Sequence, residues 1–471
     1  MASTSVICGI DIGTTNVKVL LIDEQAQTLW SRSIPVPRFE QDGRPVTDAK
    51  SLVRTLEQLI VEGWRATGLS SPIVAIATTG VGEDGLPVDA RLEPVDVAIP
   101  WFDRRAESEA RALRLLLDQP VRAGVPIDGT RTAAKWRWLR HHRPQTMRDA
   151  SAWLALSDYP AAWWSQTPFI SETLAARTGC YDVFARRWLA NHLEAAGAPA
   201  LPPVVAAGTV VGTMVPGPLV DSGAVSTSTL LVAGGHDHPI AASVVRRIDP
   251  TAVVDSLGTA NLIYGESDAV EPRADPYIAF SVPALGQPGV ACLGVFEFSA
   301  SLQATRSRDG GTALQAFLGA EGAAGEPGDE VRLLRALRQT LAVEPSPHEP
   351  SDQSDPRTLL EAGCFYARRM LESVRAAGSG RGRLFSVGGW ARSKALLQLR
   401  ASVLGEPLFT LDEEELAALG AALIAREAAM PDESNALQRD ERVVYPNATW
   451  QSRYALMYPS VREVLKGLRE G

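Results

Sequence analysis

The stretch Asp11–Lys18 (DIGTTNVK) places a carboxylate, a glycine, two hydroxyls, an amide and a lysine between two apolar runs. The runs are short and rich in β-branched residues, which predicts a strand, a tight turn and a second strand. Gly13 lets the backbone turn tightly, and the N–H groups and hydroxyls after it can hold an anion. Asp11 ends the first strand, where its carboxylate can bind Mg²⁺ directly or through water. Taken alone, the stretch fits an ordinary polar hairpin equally well, and the chain contains no G-x-x-x-x-G-K-[ST] motif.

A similar stretch occurs in the second half of the chain. Val253–Tyr264 (VVDSLGTANLIY) again runs strand, Asp, Gly-Thr, Asn, strand. We interpret it as an internal repeat that marks duplicated domains, since one repeat at this distance does not make a solenoid. Two such loops, Gly13 in one domain and Gly258-Thr259 in the other, would hold a polyphosphate from both sides. A third glycine loop at Gly388-Gly389 would let the backbone lie close to a base or ribose, so the three loops together predict nucleotide binding.

Asp237, in the sequence GGHDHP, is the candidate catalytic residue. A carboxylate at a strand end can accept the proton of a substrate hydroxyl while that oxygen attacks phosphorus. A helix N-cap is the simplest alternative for an aspartate in such a turn. The other alternative is a metal-dependent hydrolase, because His236 and His238 flank the carboxylate. A catalytic zinc site usually has three protein ligands, and the remaining histidines form no ligand motif, so kinase chemistry is favoured.

Acidic and aromatic side chains near the ends of early strands are candidates for binding a sugar. Glu83 and Asp84 lie on a glycine-rich loop after the apolar run Ile73–Ala77, and Trp101 and Asp103 follow a second apolar run. An aromatic ring suits the apolar face of a sugar, and carboxylates suit its hydroxyls. The alternatives are a solvated acidic turn for Glu83 and a packing role for the tryptophan.

The remaining patterns predict the elements around these loops. Asp48 begins a helix with one apolar face, and Gly68 ends it. Helices should dominate from about 106 to 192, a proline- and glycine-rich connection should follow at 201–217, and further helices are expected at 356–377, 393–403 and 416–428. The last of these is apolar almost all round, which indicates burial. The segment 305–355 has no recognisable pattern.

Length and composition limit the classes of function. With 471 residues the chain is long for one domain, so two large domains are expected. A net charge of −9 argues against a nucleic-acid or anionic-membrane partner. The four cysteines are scattered and have no metal-ligand spacing, which is typical of a reducing compartment. No signal peptide and no membrane-spanning stretch is predicted.

The order of these motifs resembles that of the FGGY carbohydrate kinases over nearly the whole chain. DIGTTNVK is similar to the first phosphate motif of that family, GGHD to the sequence around its catalytic aspartate, and GTA at Gly258–Ala260 to its second phosphate motif, usually G-T-S. Supporting similarities are WFDRR at Trp101–Arg105, KWRWL at Lys135–Leu139, DY at Asp158, LEAG at Leu360–Gly363, GGWARS at Gly388–Ser393, LGEP at Leu404–Pro407 and LGAA at Leu419–Ala422.

The resemblance implies an α/β fold with two actin-like, ribonuclease-H-like domains and a cleft between them. The domains would be residues 1–233, with the sugar site and first phosphate loop, and 234–471, with the second phosphate loop and the adenosine segment. The implied activity is ATP- and Mg²⁺-dependent phosphorylation of a small ketose or polyol. The implied ATP and phosphate ligands are Asp11, Gly13, Thr14, Thr15, Asn16, Lys18, Gly258, Thr259, Gly389 and Ser393, with Asp11 also at the metal. The implied sugar ligands are Glu83, Trp101, Asp103, Asp237 and His238.

Departures from the family pattern leave the substrate open. The loop at Glu83 lacks the Q-M-H of xylulokinases and the Q-R-E of glycerol kinases, no G-E-R-x-P stretch occurs between Ser299 and Leu359, and Trp390 replaces a third glycine. The altered segment also allows a second hypothesis, a kinase-derived sugar or nucleotide sensor without turnover. The retained Asp11 and Asp237 argue against a sensor, which needs no catalytic base. A cytoplasmic enzyme is expected, with a homodimer as one compatible state.

Overall fold

The chain forms two compact units whose sequence segments interleave. The first comprises Met1–Ile248, Phe280–Val290 and Glu415–Leu437, and the second comprises Asp249–Ala279, Ala291–Glu414 and Gln438–Gly471. The structure is a computed structural model that describes residues 4–118, 121–258, 261–296, 312–320, 326–341, 356–378, 382–413, 415–431 and 437–470. Within these ranges, none of the helices is both long enough and apolar enough to cross a bilayer.

The strands of the described residues alternate with helices along most of the chain. They are β1 (Val6–Ile12), β2 (Asn16–Ile22), β3 (Thr28–Pro35), β4 (Arg38–Gln41), β5 (Arg44–Thr47), β6 (Ile73–Gly80), β7 (Gly85–Val88), β8 (Ala152–Ala155), β9 (Ile170–Ser171), β10 (Tyr181–Asp182), β11 (Arg187–Trp188), β12 (Val204–Val205), β13 (Val210–Thr213), β14 (Val225–His236), β15 (Val253–Leu257), β16 (Asn261–Ser267), β17 (Ala279–Ser281), β18 (Val290–Phe296), β19 (Leu384–Val387), β20 (Leu408–Leu411) and β21 (Glu441–Val444).

The helices are α1 (Ala49–Thr67), α2 (Glu107–Leu116), α3 (Thr132–His142), α4 (Pro144–Asp149), α5 (Tyr159–Ser165), α6 (Glu172–Ala175), α7 (Ala190–Ala196), α8 (Pro218–Asp221), α9 (Asp237–Ile248), α10 (Thr312–Leu318), α11 (Glu330–Leu341), α12 (Pro356–Ala376), α13 (Lys394–Leu404), α14 (Leu416–Ala429) and α15 (Ala448–Glu470). Short 3₁₀ turns occur at Val121–Ala123 and Gly389–Arg392.

The first unit is built on a six-stranded sheet in the order β13-β14-β6-β1-β2-β3. The opening hairpin is antiparallel and pairs Asp11 with Lys18, whereas β1 and β14 both run parallel to β6. In register, Asp11 lies opposite Thr79 of β6, and His236 of β14 lies opposite Gly80. The carboxyl ends of β1, β6 and β14 therefore meet at one edge of the sheet.

Two helices on the first unit show how local sequence and packing combine. Asp48 caps α1 by accepting a hydrogen bond from the Lys50 N–H, and Gly68 ends it in a left-handed conformation (φ 68°) that glycine tolerates best. Helix α14 lies against β1 so closely that a Cβ on Gly9 would stand 2.0 Å from the Ala418 carbonyl oxygen. The predicted burial of α14 is confirmed, and its partner strand lies some four hundred residues earlier in the chain.

The second unit has a seven-stranded sheet in the order β17-β18-β16-β15-β19-β20-β21. The hairpin β15–β16 is antiparallel, and β15, β19 and β20 run parallel, so the order β16-β15-β19-β20 matches β2-β1-β6-β14 of the first unit. The predicted internal repeat is therefore confirmed in topology. Ser393 caps α13, and Gly405 ends it with φ 82°.

Some elements differ from the expectations. Strand β14 spans twelve residues rather than the five expected at 229–233, because residues 225–228 before the apolar run and two glycines and a histidine after it also belong to the strand. The region 106–192 contains short strands among its helices. Much of the segment 305–355 lies outside the described residues; within it, the structure places α10 and α11.

Candidate active site

Side chains from three parallel strands converge at the carboxyl edge of the first sheet. Asp11 comes from β1, Glu83 from the loop after β6, and Asp237 directly follows β14. Open α/β sheets bind ligands at the carboxyl ends of their parallel strands. Three predicted site residues, distant in sequence, thus lie along one edge of a sheet in the first unit.

The turn between β1 and β2 has the tight geometry that the sequence predicts. The Gly13 N–H donates to the Asn16 carbonyl oxygen at 3.0 Å. The Trp101 indole N–H donates to the Thr14 hydroxyl oxygen at 2.9 Å, which leaves the hydroxyl proton of Thr14 available for another acceptor. Thr15 is exposed, and Thr14 and Asn16 are half-buried. The turn therefore presents donors at a partly accessible surface, as a phosphate-binding loop requires.

Asp11 is buried, and its oxygens have unequal surroundings. Oδ2 lies 3.7 Å from the Lys18 ammonium, while Oδ1 is buried without a hydrogen-bond partner among the described residues. The pKa of Asp11 is raised to about 7, chiefly by burial and then by the charge of Asp237, against the opposing charge of Lys18. An unpartnered carboxylate oxygen at a site of high negative charge fits a divalent cation, which supplies the missing interaction.

Lys18 is shared between two carboxylates. Its Nζ lies 2.7 Å from Glu415 Oε2 and 3.7 Å from Asp11 Oδ2. Burial lowers the pKa of Lys18, but Asp11 and Glu415 outweigh it, so the net shift is upward and the side chain is charged at neutral pH. Glu415 immediately precedes α14, so a residue late in the chain sets the position of this ammonium group.

Asp237 is the first residue of α9, and its two oxygens also differ. Oδ1 accepts the His238 backbone N–H at 2.7 Å and lies 3.3 Å from His236 Nε2. Oδ2 receives no hydrogen bond from any residue that the structure describes, and the side chain is 21% exposed. The N-cap alternative is weakened, because the carboxylate accepts from the next residue rather than from the second or third N–H of the helix.

The pair of histidines next to Asp237 was also a candidate metal site. One ligand atom from each of His236, Asp237 and His238 lies within 4.8 Å of the others. At these distances the three atoms could coordinate one metal ion, so geometry alone leaves the hydrolase alternative open.

Glu83 is held by two arginines that the sequence did not single out. Its Oε1 accepts hydrogen bonds from Arg177 Nε (2.9 Å) and Nη2 (2.5 Å), and from Arg131 Nη1. Burial would raise the pKa of Glu83, but Arg177 and Arg131 outweigh it and hold the pKa below its ordinary value. Oε2 receives no hydrogen bond within the described part of the chain, so Glu83 offers one charged acceptor oxygen. Arg131 and Arg177 belong to no motif, and only tertiary structure reveals them.

Lys135 connects the loops that carry the sugar-site candidates. Its fully buried ammonium donates to the carbonyl oxygens of Glu83 (2.8 Å) and Ile99 (3.0 Å). Burial lowers the pKa of Lys135 to about 8, against the opposing effect of the carboxylates of Asp84 and Glu83. The KWRWL motif was the sequence signal for this residue, and its structural role is to join two loops.

Trp101 and Asp103 are fixed by neighbouring charges. The Asp84 carboxylate accepts a hydrogen bond from the Trp101 backbone N–H at 2.5 Å. Burial raises the pKa of Asp84 to about 6. Asp103 accepts three hydrogen bonds from Arg105, at 2.7–3.0 Å, which engage both of its oxygens. Asp103 therefore has less free acceptor capacity for a sugar than Glu83 has.

The second unit contains the remaining nucleotide-site candidates that the structure describes. A Cβ on Gly388 (φ 93°) would stand 2.7 Å from the Leu257 carbonyl oxygen, so the glycine loop and the end of β15 are in close contact. Gly389 has open space around it, and Ser393 Oγ accepts the Leu396 N–H at 3.2 Å. Gly258 follows β15 directly, whereas Thr259 lies outside the described residues.

Family comparisons decide between the alternatives for this chain. The N-terminal domain model of the FGGY family of carbohydrate kinases matches residues 6–243, more than half of the chain, and the C-terminal domain model matches 338–429. The chain belongs to the FGGY family of carbohydrate kinases. It is thus a phosphotransferase that uses ATP to phosphorylate a sugar hydroxyl, and the resemblance seen in the sequence is confirmed.

Individual relatives agree with this assignment. The kinase is 28% identical to a xylulose kinase of Streptomyces coelicolor over 452 residues, which cover 89% of this chain and 87% of the relative. Its fold matches a xylulose kinase structure from Rhodospirillum rubrum (TM-score 0.82, 20% identity, 99% of both chains). A gluconate kinase structure from Lactobacillus acidophilus matches with TM-score 0.79, 18% identity and 99% coverage of both chains. The actin-like two-domain α/β fold is therefore confirmed.

Proposed function

We propose that this carbohydrate kinase transfers the γ-phosphoryl group of ATP to a hydroxyl group of a ketose or polyol, with Asp237 as general base. The observation that carries the proposal is the asymmetry of the Asp237 carboxylate. Oδ1 is engaged by His238 and His236, whereas Oδ2 receives no hydrogen bond among the described residues and the side chain is partly exposed. A substrate hydroxyl at Oδ2 would give up its proton as its oxygen attacks phosphorus.

The turn after β1 supports a phosphate-binding role. The Thr14 hydroxyl proton, the neighbouring Thr15 and Asn16, and the charged Lys18 would contact phosphate oxygens, since positioning and charge neutralisation supply most of phosphoryl-transfer catalysis. In the second unit, the proposed phosphate ligands are Gly258 and Thr259, and the proposed nucleoside contacts are Gly389 and Ser393.

Asp11 is the proposed Mg²⁺ ligand, directly or through water. Its buried, unpartnered Oδ1 fits this role, because a carboxylate oxygen in such a position lacks any other compensating interaction. When bound, Mg²⁺ would offset negative charge on the phosphates. Lys18 is held by Glu415 and so leaves Oδ1 uncovered.

The proposed sugar ligands are Glu83, Trp101, Asp103, Asp237 and His238. Glu83 Oε2 is the strongest of these, because the two arginines keep the carboxylate ionised while occupying only Oε1. A ketose is the first candidate, since a relative of similar length is a xylulose kinase. We further propose a cytoplasmic location, where ATP is available.

An ADP-release assay over a panel of pentuloses, hexuloses, tetritols, glycerol and gluconate tests the proposal. We expect turnover with at least one sugar, and a 10²- to 10⁴-fold lower kcat in Asp237→Asn with ATP affinity nearly unchanged, which is the usual contribution of a general base. Near-normal turnover in that variant would exclude Asp237 as the base.

The same panel separates the sensor hypothesis from the kinase. Calorimetry should accompany the assay, so that binding and turnover are measured on one preparation. If ATP and a sugar bind while no member of the panel supports ADP release, the sensor hypothesis is favoured. Stoichiometric zinc in the purified protein, measured by mass spectrometry, would instead revive the hydrolase alternative.

A further inference from the structure

His236, the neighbour of the proposed base, lies in an environment that its sequence position alone does not explain. Its ring is buried, with 4% of the residue exposed. Nε2 faces Asp237 Oδ1 at 3.3 Å, and Nδ1 is buried without a hydrogen-bond partner among the described residues. One ring nitrogen thus faces a carboxylate, and the other has no hydrogen-bond partner within the described ranges.

These surroundings determine which nitrogen carries the proton. A proton on Nδ1 would leave a buried N–H without an acceptor and would turn the Nε2 lone pair toward the carboxylate oxygen. A proton on Nε2 instead gives a donor that faces a carboxylate acceptor, which is the more stable arrangement. Burial also lowers the pKa of His236 well below its ordinary value, so the ring is neutral at neutral pH.

The backbone around His236 is held by two hydrogen bonds, and its ring is held by packing. The His236 backbone N–H donates to the Thr173 hydroxyl oxygen at 2.9 Å, and the preceding Gly235 carbonyl oxygen accepts from the Thr79 hydroxyl at 2.7 Å. A Cβ on Gly82 would stand 2.9 Å from His236 Cδ2, so the loop backbone packs directly on the ring. Both the backbone and the ring of His236 are therefore fixed.

We propose that His236 is a positioning residue, whose Nε2–H donates to Asp237 Oδ1 and, with the His238 N–H, fixes the carboxylate so that Oδ2 faces the substrate. This proposal rests on the proposed function of Asp237. The substrate O–H bond breaks and its proton moves to Oδ2, the substrate oxygen bonds to phosphorus, and the bond from phosphorus to the ADP oxygen breaks. His236 keeps its proton throughout and only holds the acceptor in place.

Kinetics of two substitutions test the role. His236→Leu removes the donor, and we expect kcat to fall roughly 10- to 100-fold, as for the loss of a hydrogen bond to a charged group. The KM for ATP should stay within about twofold. His236→Gln, whose amide N–H reaches a similar point, should recover most of the lost kcat. Wild-type kcat in the leucine variant, or no recovery with glutamine, would overturn the proposal.

A matched control separates positioning from general damage to the fold. His192 is also buried, with Nδ1 bonded to the Gly179 carbonyl oxygen at 2.9 Å and Nε2 unpartnered. His192→Leu should lower the melting temperature without lowering kcat. An equal loss of kcat in the two leucine variants would show that the effect of His236 is merely structural.

A spectroscopic measurement tests the proposal even if no sugar of the panel is turned over. With six histidines, protein labelled with ¹³C and ¹⁵N in histidine gives a simple spectrum, and His236→Gln assigns the relevant signals. We expect a neutral ring protonated at Nε2, with the N–H signal shifting in Asp237→Asn. A ring protonated at Nδ1 would refute the hydrogen bond, whereas failure of the sugar panel alone would refute the proposed function.

Discussion

At the scale of single residues, the proposed site contains carboxylates with one engaged and one free oxygen. Asp11, Glu83 and Asp237 each have one oxygen facing a cation or a donor and one without a described partner. The engaged oxygen fixes the side chain, and the free oxygen remains for a ligand. This division explains how strongly charged groups can be buried and still be available for binding or catalysis.

Glu83→Gln tests this division at the proposed sugar site. The amide keeps the shape but loses the charge opposite Arg177 and Arg131, so we expect a lower melting temperature and at least a tenfold higher KM for the sugar, with the KM for ATP unchanged. Steady-state kinetics and thermal denaturation measure both effects.

A matched variant shows whether the KM effect is specific. Glu361 of the second unit is fully buried and accepts from Arg357 Nε at 3.0 Å. Glu361→Gln should lower the melting temperature and leave the sugar KM within twofold. A raised sugar KM in this variant, or a wild-type KM in Glu83→Gln, would contradict a sugar-binding role for Glu83.

At the scale of elements, local sequence predicted well where helices begin and end, because a helix cap depends on only a few neighbouring residues. Asp48 and Ser393 begin their helices, and Gly68 and Gly405 end them, as local sequence indicates. Partners could not be predicted in the same way. No local pattern predicts that α14 packs on β1, because this contact joins residues that lie hundreds of positions apart in the sequence.

Gly9→Ala tests the contact between α14 and β1. The added Cβ would overlap the Ala418 carbonyl oxygen and the Ala422 backbone, which cannot move as a flexible side chain would. We expect a loss of about 1–3 kcal/mol in the free energy of unfolding, typical of overpacking. Gly467→Ala, inside α15 at a position with open space around it, is the control and should not lower stability. Equal stability of the two variants in urea would contradict the close packing.

At the scale of the whole molecule, the sequence predicted the duplicated architecture but not the charges inside it. The repeat of the hairpin was visible because strands and glycines recur in order. The aspartates at the equivalent positions of the two hairpins have different surroundings. Asp255 of the second unit is fully buried against Arg400, whose Nε donates a hydrogen bond to it at 2.7 Å. Asp11 of the first unit has one oxygen without a described hydrogen-bond partner. Only tertiary contacts distinguish a structural carboxylate from an available one.

The stability of the fold should depend on pH through Asp158. Its oxygens accept hydrogen bonds from the Ser171 N–H (2.7 Å) and hydroxyl (2.6 Å), yet burial dominates and raises its pKa to about 7. Between its ordinary pKa near 4 and this value, the folded state retains a proton that the unfolded chain has lost, so this group's contribution to stability falls as pH rises through that window.

Asp158→Asn removes that proton equilibrium. We therefore expect the melting temperature of the variant, relative to wild type, to rise progressively from pH 5 to about pH 7 and then to level off. Differential scanning calorimetry in constant ionic strength measures the difference. A difference that does not change with pH would show that Asp158 titrates alike in the folded and unfolded chain.

The first unit is built from segments that lie far apart in the sequence, and this affects how it folds during synthesis. A growing chain emerges from the ribosome in sequence order, so β1 with its Gly9 surface emerges some four hundred residues before the helix that covers it, Leu416–Ala429. Glu415, the ion-pair partner of Lys18, arrives with that helix. The nascent first unit thus keeps an apolar sheet face uncovered through most of translation, and chains cut short before residue 415 would present that face to chaperones and proteases.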